Sequence, residues 1–113
     1  LITISREKQM PIQYTQSPVR TGKVHALKSD PVPFAAMRCR ALQSNCRLND
    51  RDYQLGDMIV FQEYVDERLT GEAHEVGPIT SIVSGDEHGV KTDYVIVGWL
   101  VSVGVLESEV KKI

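Results

Sequence analysis

Short stretches of alternating apolar and polar residues, separated by turn-forming residues, run along most of the chain. The segments with this pattern are residues 24–27, 45–48, 58–64, 72–76, 79–83 and 94–103. Val, Ile, Tyr and Phe dominate the strongest of them, and these residue types favour the pleated, half-buried surface of a strand. Gly, Asn and Asp lie between the segments, so the pattern predicts a β-rich domain with short connections.

One segment predicts a helix instead. Ser29 and Asp30 precede Pro31, and a capping residue followed by proline is typical of a helix N-terminus. Apolar residues then recur at helical spacing until about Leu42. We therefore expect one helix over residues 31–42, and the N–H groups of its first turn would offer an anion site.

Glycine and proline positions predict where the chain reverses. Gly56 ends a polar turn and should have a positive φ. Residues 66–71 should form the turn of a hairpin, and Gly77-Pro78 predicts a bend before the next strand. The segment at 94–103 should be a central or closing strand, with Trp99 packed in the core.

One helix followed by about five strands predicts an α+β, mainly β fold, a small mixed β-barrel with the helix packed on it. The length of 113 residues suits a single hydrophobic core. Residues 1–22 are polar and contain two prolines, so they predict an extended arm without secondary structure. The domain should span residues 23–103, and residues 104–113 should form a C-terminal tail.

Charge is distributed unevenly, although the net charge is only −2. Lys and Arg outnumber the acids nine to three in residues 1–51, whereas the acids outnumber them twelve to four in residues 52–113. The basic part contains Arg38, Arg40, Arg47 and Arg51. Arginine suits phosphate and stacked bases, so these residues are either nucleic-acid contacts or a solvated rim.

Composition and spacing argue against several classes of protein. No run approaches the roughly 18 apolar residues of a membrane helix, and residues 1–10 lack the apolar core of a secretory signal. We therefore expect a cytoplasmic protein without a membrane partner. Cys39 and Cys46 have no histidine at metal-ligand spacing. A disulfide between them is geometrically possible, but we expect free thiols, no metal and no cofactor.

Three segments carry a family resemblance. The first is Val-His-Ala-Leu-Lys at residues 24–28. The second is Arg-Leu-Asn-Asp-Arg-Asp-Tyr-Gln-Leu-Gly-Asp at residues 47–57, which precedes a strand ending in Glu63-Tyr64. The third is Leu-Thr-Gly at residues 69–71, followed later by Gly89 and by Tyr-Val-Ile-Val at residues 94–97. Together they resemble the DUF3850 family of bacterial and phage proteins, a PUA-like group allied to the ASCH domains. The resemblance covers about residues 23–101 and implies a PUA-like barrel. We call residues 47–57 the hallmark segment.

The resemblance implies a function in recognition. Some PUA-like domains bind RNA or modified bases, so we expect RNA or a nucleotide-like ligand. Arg47 and Arg51 would contact phosphate or stack on a base, Asn49 would bond a base edge, and Tyr53 or Tyr64 would stack. The candidate ligand-binding residues are Lys28, Arg38, Arg40, Arg47, Asn49, Arg51, Tyr53 and Tyr64.

ASCH relatives also include hydrolases that remove an acetyl group from cytidine, which is an alternative function. The family's Gly-Lys-Lys-Thr-x-Glu stretch reads Arg-Ala-Leu-Gln-Ser-Asn at residues 40–45 of this chain. Both lysines are missing, and Asn45 cannot act as a general acid or base. Lys28, Ser44 and Glu63 remain as weak substitutes, so we expect no catalysis.

Two further interpretations stay open. The acidic second half could make the chain a protein-interaction module. The hallmark segment could also be purely structural, because Asp50 and Asp52 could bond their own backbone. In that interpretation Arg47 or Arg51 would pair with Asp57 across the turn.

Overall fold

The computed structural model describes residues 12–86 and 89–100. Its elements, in chain order, are β1 (Ile12–Tyr14), β2 (Val24–Ser29), α1 (Pro31–Arg38), β3 (Ser44–Leu48), β4 (Met58–Val65), β5 (Arg68–Val76), β6 (Ile79–Ser84) and β7 (Tyr94–Trp99). Strands dominate and one helix occurs within these ranges, which confirms the predicted α+β, mainly β fold. None of the helices that the structure describes has the length and apolar character needed to cross a membrane.

The strands form two sheets. The four-stranded sheet has the order β1-β6-β7-β3 with antiparallel neighbours throughout. The three-stranded sheet has the order β2-β4-β5, in which β2 is parallel to β4 and β4 is antiparallel to β5. A parallel pair needs a long crossover, and α1 and β3 lie within it. Because β7 lies between β6 and β3, the predicted central position of this strand is confirmed.

Buried side chains from both sheets and from α1 form one core. Phe61 of β4 and Val97 of β7 are fully buried, and Phe34 and Met37 of α1 pack into the same cluster. Trp99 is 6% exposed, and its ring centroid lies 5.8 Å from that of Phe61. Trp99 is therefore a core residue, as predicted, and burying a side chain of this size contributes about 1.5–3 kcal/mol or more.

α1 begins at Pro31, as predicted, but ends four residues earlier than expected. Arg40 has a φ of 70°, a left-handed conformation that helices adopt where they stop. The N–H groups of Ala41 and Leu42 both donate to the Ala36 carbonyl oxygen, at 2.9 and 3.0 Å. Residues 39–42 therefore form a turn, because an αL residue ends the regular hydrogen-bond ladder.

The turns largely follow the prediction. Gly56 has a φ of 96°, and a Cβ atom there would lie 2.1 Å from the Val19 carbonyl oxygen, so both the conformation and the space require glycine. The β4–β5 turn is tighter than expected, because Asp66 and Glu67 alone form it with φ values of 49° and 64°. Positive φ at both central residues matches the twist of the flanking strands. Gly77-Pro78 separates β5 from β6, where we predicted a bend.

The prediction of an arm without secondary structure over residues 1–22 is wrong for β1. Gln13 lies opposite Ile82 of β6, and β1 forms an edge of the four-stranded sheet. All three residues of β1 are exposed, so no alternation of apolar and polar positions marks this edge strand. Residues 101–103 of the predicted last strand and the predicted tail at residues 104–113 lie outside the described residues.

Candidate functional site

Two arginines bridge the two sheets along the edge of β2. Arg47, on β3, donates from Nη1 to the Lys28 carbonyl oxygen at 3.0 Å. Arg51, after β3, donates from Nη1 to the Ala26 carbonyl oxygen at 3.3 Å. Ala26 and Lys28 are two residues apart, so their carbonyl groups leave the same side of the strand. The hallmark segment is therefore tied to one edge of the three-stranded sheet.

Two clefts lie along this edge and share Cys46 and Arg47. The first cleft has a volume of about 260 Å³, and its walls include Leu27, Arg47, Asp50, Arg51, Tyr53 and Tyr94. The second cleft has a volume of about 210 Å³, and its walls include Lys28, Asp30, Pro33, Asn45, Arg47 and Tyr64. Arg47 thus separates two polar depressions of similar size.

Tyr53 is a buried residue at the first cleft. It is 5% exposed, and its ring packs against His25 with 4.7 Å between the ring centroids. The predicted stacking of a base on Tyr53 is therefore wrong, because little of the ring surface is free. Its hydroxyl is buried, and none of the described residues meets normal hydrogen-bond geometry with it, although the Arg47 guanidinium lies nearby.

The Tyr53 hydroxyl is neutral and lies near the charges of the first cleft. Burial raises the pKa of Tyr53 and Asp50 adds to the rise, whereas Arg47 and Arg51 oppose it without cancelling it. These three charged residues all line the first cleft, as Tyr53 itself does. At neutral pH the hydroxyl keeps its proton, so it can both donate and accept a hydrogen bond.

Beneath Tyr53, Asp57 and His25 form a buried pair. Nε2 of His25 lies 2.7 Å from Oδ2 of Asp57, and the two side chains are 4% and 1% exposed. Asp57 also accepts hydrogen bonds from the Thr21 hydroxyl at 2.6 Å and from the Gln54 N–H at 3.0 Å. Burial acts to raise the pKa of Asp57, but the hydrogen bonds from Thr21, His25 and Gln54 outweigh it and hold the pKa below its usual value. An ionised carboxylate only accepts, so Nε2 of His25 carries the proton.

The predicted pairing of Asp57 with Arg47 or Arg51 is therefore wrong. Arg51 lies 3.8 Å from the Asp50 carboxylate instead. No local pattern predicted the bond between His25 and Asp57, because this bond joins β2 to the turn before β4 through long-range parallel pairing. One signal was available, since His25 is in phase with the buried Leu27 and Ser29 along β2.

Comparison with known proteins places the chain in a family. The model of a family described as "Domain of unknown function (DUF3850)" matches residues 24–99. The chain belongs to the DUF3850 family. The match runs from the first residue of β2 to the last residue of β7 and includes every residue that lines the two clefts. No curated protein shows significant similarity to the chain.

The four arginines of the basic half do not form one patch in this DUF3850 domain. Arg47 and Arg51 line the first cleft. Arg38, on α1, instead contacts the Glu72 carboxylate of β5 at 2.7 Å. Arg40 lines a separate cleft with His74 and Trp99 among its other walls. Arg38 and Arg40 therefore lie away from the clefts that Arg47 lines.

Three other candidate residues are Lys28, Tyr64 and Asn49. Nζ of Lys28 lies 4.6 Å from the ring centroid of Tyr64, so these two residues form one wall of the second cleft. Asn49 is exposed and lies outside both clefts, and its N–H donates to the Asp93 carbonyl oxygen at 2.7 Å. Cys46, in both clefts, is a free and exposed thiol.

The suggested catalytic substitutes do not line one cleft in this DUF3850 domain. Lys28 lines the second cleft, whereas Ser44 and Glu63 do not. Glu63 accepts a hydrogen bond from the Thr70 hydroxyl at 2.9 Å, and Ser44 lies opposite Gly98 at the start of β3. A nucleophile and its base act within hydrogen-bond reach, and no side-chain hydrogen bond links these three residues to one another.

The predicted anion site at the start of α1 is also not formed. Pro31 and Pro33 have no N–H groups, and the Phe34 N–H donates to the Asp30 carbonyl oxygen at 3.0 Å. Val32 alone retains an N–H in the first turn, and the adjacent Asp30 carboxylate repels anions. Phosphate recognition would therefore depend on the side chains of the clefts rather than on the helix.

Proposed function

We propose that this DUF3850 domain recognises RNA or a nucleotide-containing ligand at the two clefts and catalyses no reaction. The proposal rests on the unused hydrogen-bond donors of Arg47, a half-buried cation between the clefts. One of its nitrogens donates to a backbone carbonyl, and no carboxylate of the described residues lies within 4 Å of its guanidinium. A guanidinium has five N–H donors in a planar fork, so most of them remain for phosphate oxygens.

Neutral polar and aromatic groups beside Arg47 support a nucleotide rather than a simple anion. Tyr53 supplies a protonated hydroxyl in the first cleft, and the partly exposed Tyr64 supplies an aromatic ring in the second. Asp50 and Asp30 each place a carboxylate in one cleft, where it would accept from the amino group of a base and would repel a second phosphate.

The expected relationship to PUA-like and ASCH domains supports the same proposal, because the resemblance implies RNA or modified bases as ligands. The hydrolase alternative lacks support, since Lys28, Ser44 and Glu63 do not line one cleft. A cytoplasmic location is compatible with an RNA ligand and is part of the proposal.

Fluorescence anisotropy of labelled single-stranded and hairpin RNAs tests the proposal. We expect binding that weakens as salt is raised, because phosphate contacts release counterions. Arg47→Ala should weaken binding about 10-fold or more, which corresponds to the loss of a hydrogen bond to a charged group. Arg38→Ala is the matched control, since it removes the same charge from an exposed site at Glu72 and should change the affinity less than threefold.

Two results would contradict the proposal. One is the absence of RNA binding even at low salt. The other is an equal loss in both variants, because it would show that overall charge, and not the clefts, attracts the RNA.

A further inference from the structure

Each of the two clefts has room for about one base. Their volumes of about 260 and 210 Å³ are below the roughly 300–1,000 Å³ of sites for drug-sized molecules. A stacked run of bases would therefore not fit in either cleft. Because both clefts include Arg47, a ligand that occupies both must pass this guanidinium.

One residue of each cleft has a buried polar side-chain atom that makes no hydrogen bond of normal geometry. The side-chain atoms of this kind among the described residues are the hydroxyl oxygen of Tyr53 and Oδ1 of Asn45. Tyr53 lines the first cleft, and Asn45 lines the second. Such atoms are few in folded proteins and call for an explanation. A base edge with donors and acceptors would satisfy one of these atoms in each cleft once a small side-chain shift uncovers it.

The charges alternate along the two clefts. Asp50 lines the first cleft, Asp30 lines the second, and Arg47 belongs to both. Arg51, the other arginine of the first cleft, already lies 3.8 Å from Asp50. A phosphate is thus favoured between the clefts and disfavoured at either carboxylate, whereas a neutral base fits beside a carboxylate.

We infer that the ligand contains two adjacent nucleotides of a single strand. One base occupies each cleft, where Tyr53 and Asn45 bond the base edges, and the phosphodiester that joins the nucleotides contacts Arg47. This inference rests on the proposed function and narrows it, since it gives the site a length of two nucleotides instead of an extended groove.

The length of the bound RNA is measured by titrating the full chain with a nucleoside 5′-monophosphate, a dinucleotide and a tetranucleotide of one base composition. We expect the affinity to rise at least 10-fold from one nucleotide to two, and by less than threefold from two to four. A steady rise with length would overturn the inference, and so would equal affinities for one nucleotide and two. If no RNA of any length binds, the proposed function itself fails.

Two substitutions test the two buried atoms separately. Tyr53→Phe and Asn45→Ala should each weaken dinucleotide binding about 5- to 10-fold, the effect of one hydrogen bond. Because the two residues bond different bases, the double variant should show the product of the two losses. Tyr14→Phe, at an exposed tyrosine of β1, is the control and should leave the affinity unchanged.

The stability of Tyr53→Phe separates a ligand contact from a structural role. In the free protein the hydroxyl makes no hydrogen bond of normal geometry with the described residues, so its removal should leave the unfolding midpoint unchanged or raise it. Weaker binding with unchanged or higher stability would support the inference. Unchanged dinucleotide binding in Tyr53→Phe would overturn it, and so would a lowered midpoint, because that would reveal an internal partner for the hydroxyl.

Discussion

The Asp57 carboxylate joins three parts of the chain, and its replacement by alanine is the perturbation from which we expect the largest loss of stability. The carboxylate accepts hydrogen bonds from Thr21, before β2, from His25, on β2, and from the Gln54 N–H, within the hallmark segment. All three contacts hold the turn on which Tyr53 lies. Alanine would leave three donors without an acceptor, one of them on a fully buried histidine.

The expected magnitude follows from the burial of the pair. Hydrogen bonds to a charged group contribute about 1.5–3 kcal/mol each, but bonds that share one acceptor do not add independently. Removing one partner of a buried pair costs about 3–5 kcal/mol, because the remaining polar group stays buried. We therefore expect Asp57→Ala to lower the free energy of unfolding by about 3–5 kcal/mol, a large part of the roughly 5–15 kcal/mol typical of a domain.

Urea unfolding followed by tryptophan fluorescence measures this loss. Trp99 is the single tryptophan of the chain and is buried against Phe61, so its emission reports on the core. Asp66→Asn is the matched control, since Asp66 is an exposed turn residue with a φ of 49°, which asparagine also adopts. The control should change the free energy of unfolding by less than about 0.5 kcal/mol. A loss below about 1 kcal/mol in Asp57→Ala would refute the reasoning.

Three other predictions concern pH and backbone conformation. The lowered pKa of Asp57 contributes stability that is present above about pH 4 and is lost as the pH falls below 3.8, the usual pKa of an aspartate. Acid unfolding monitored by circular dichroism should therefore be steeper in the wild type than in Asp57→Asn. The raised pKa of Tyr53 contributes stability that is present below pH 10 and is lost as the pH rises toward the higher pKa of the folded state. Urea unfolding at pH 9 and 11 should therefore show a smaller loss of stability at the higher pH in Tyr53→Phe than in the wild type. Gly56→Ala should cost about 2 kcal/mol or more in thermal unfolding, because its Cβ would contact the Val19 carbonyl, whereas Gly71→Ala, with the same φ but open space, should cost less. Equal losses in the two glycine variants would contradict the steric part of this expectation.

Local sequence patterns predicted the strands in which apolar and polar residues alternate because one face is buried. β4 and β7 carry dense apolar residues, and Trp99 at the end of β7 packs in the core as expected. β1 was missed because it is short and exposed, and its pairing depends on β6 near the other end of the described chain. The end of α1 was missed because Arg40 adopts a left-handed φ, which no feature of the local sequence requires.

The residues that line the first cleft were predicted in part. Arg47, Arg51 and Tyr53 were selected from the hallmark segment, and the structure brings them to one cleft. Arg38 and Arg40 were selected because they are close to Arg47 in sequence, but Arg38 contacts Glu72 from α1 and Arg40 lines a separate cleft. Residues within the hallmark segment are close in space as well as in sequence, whereas Arg38 and Arg40 are close to it only in sequence.

The role of Asp57 could not be predicted from its neighbours. Its partner His25 comes close because β2 pairs in parallel with β4, with Val24 opposite Met58. Parallel register depends on the crossover through α1 and β3, and no short stretch of sequence contains it. The same dependence on tertiary structure hid the two polar atoms of Tyr53 and Asn45 that lack partners.

A titration of the ¹⁵N-labelled chain with single-stranded RNA, followed by amide chemical shifts, tests the location of binding most directly. We expect the largest shifts along residues 26–29 and 45–53, which border the two clefts, and small shifts along β5. Arg47→Ala should reduce them, whereas Arg38→Ala should not. Shifts concentrated on β5 or around Arg40, or no shifts at low salt, would contradict binding at the Arg47 clefts.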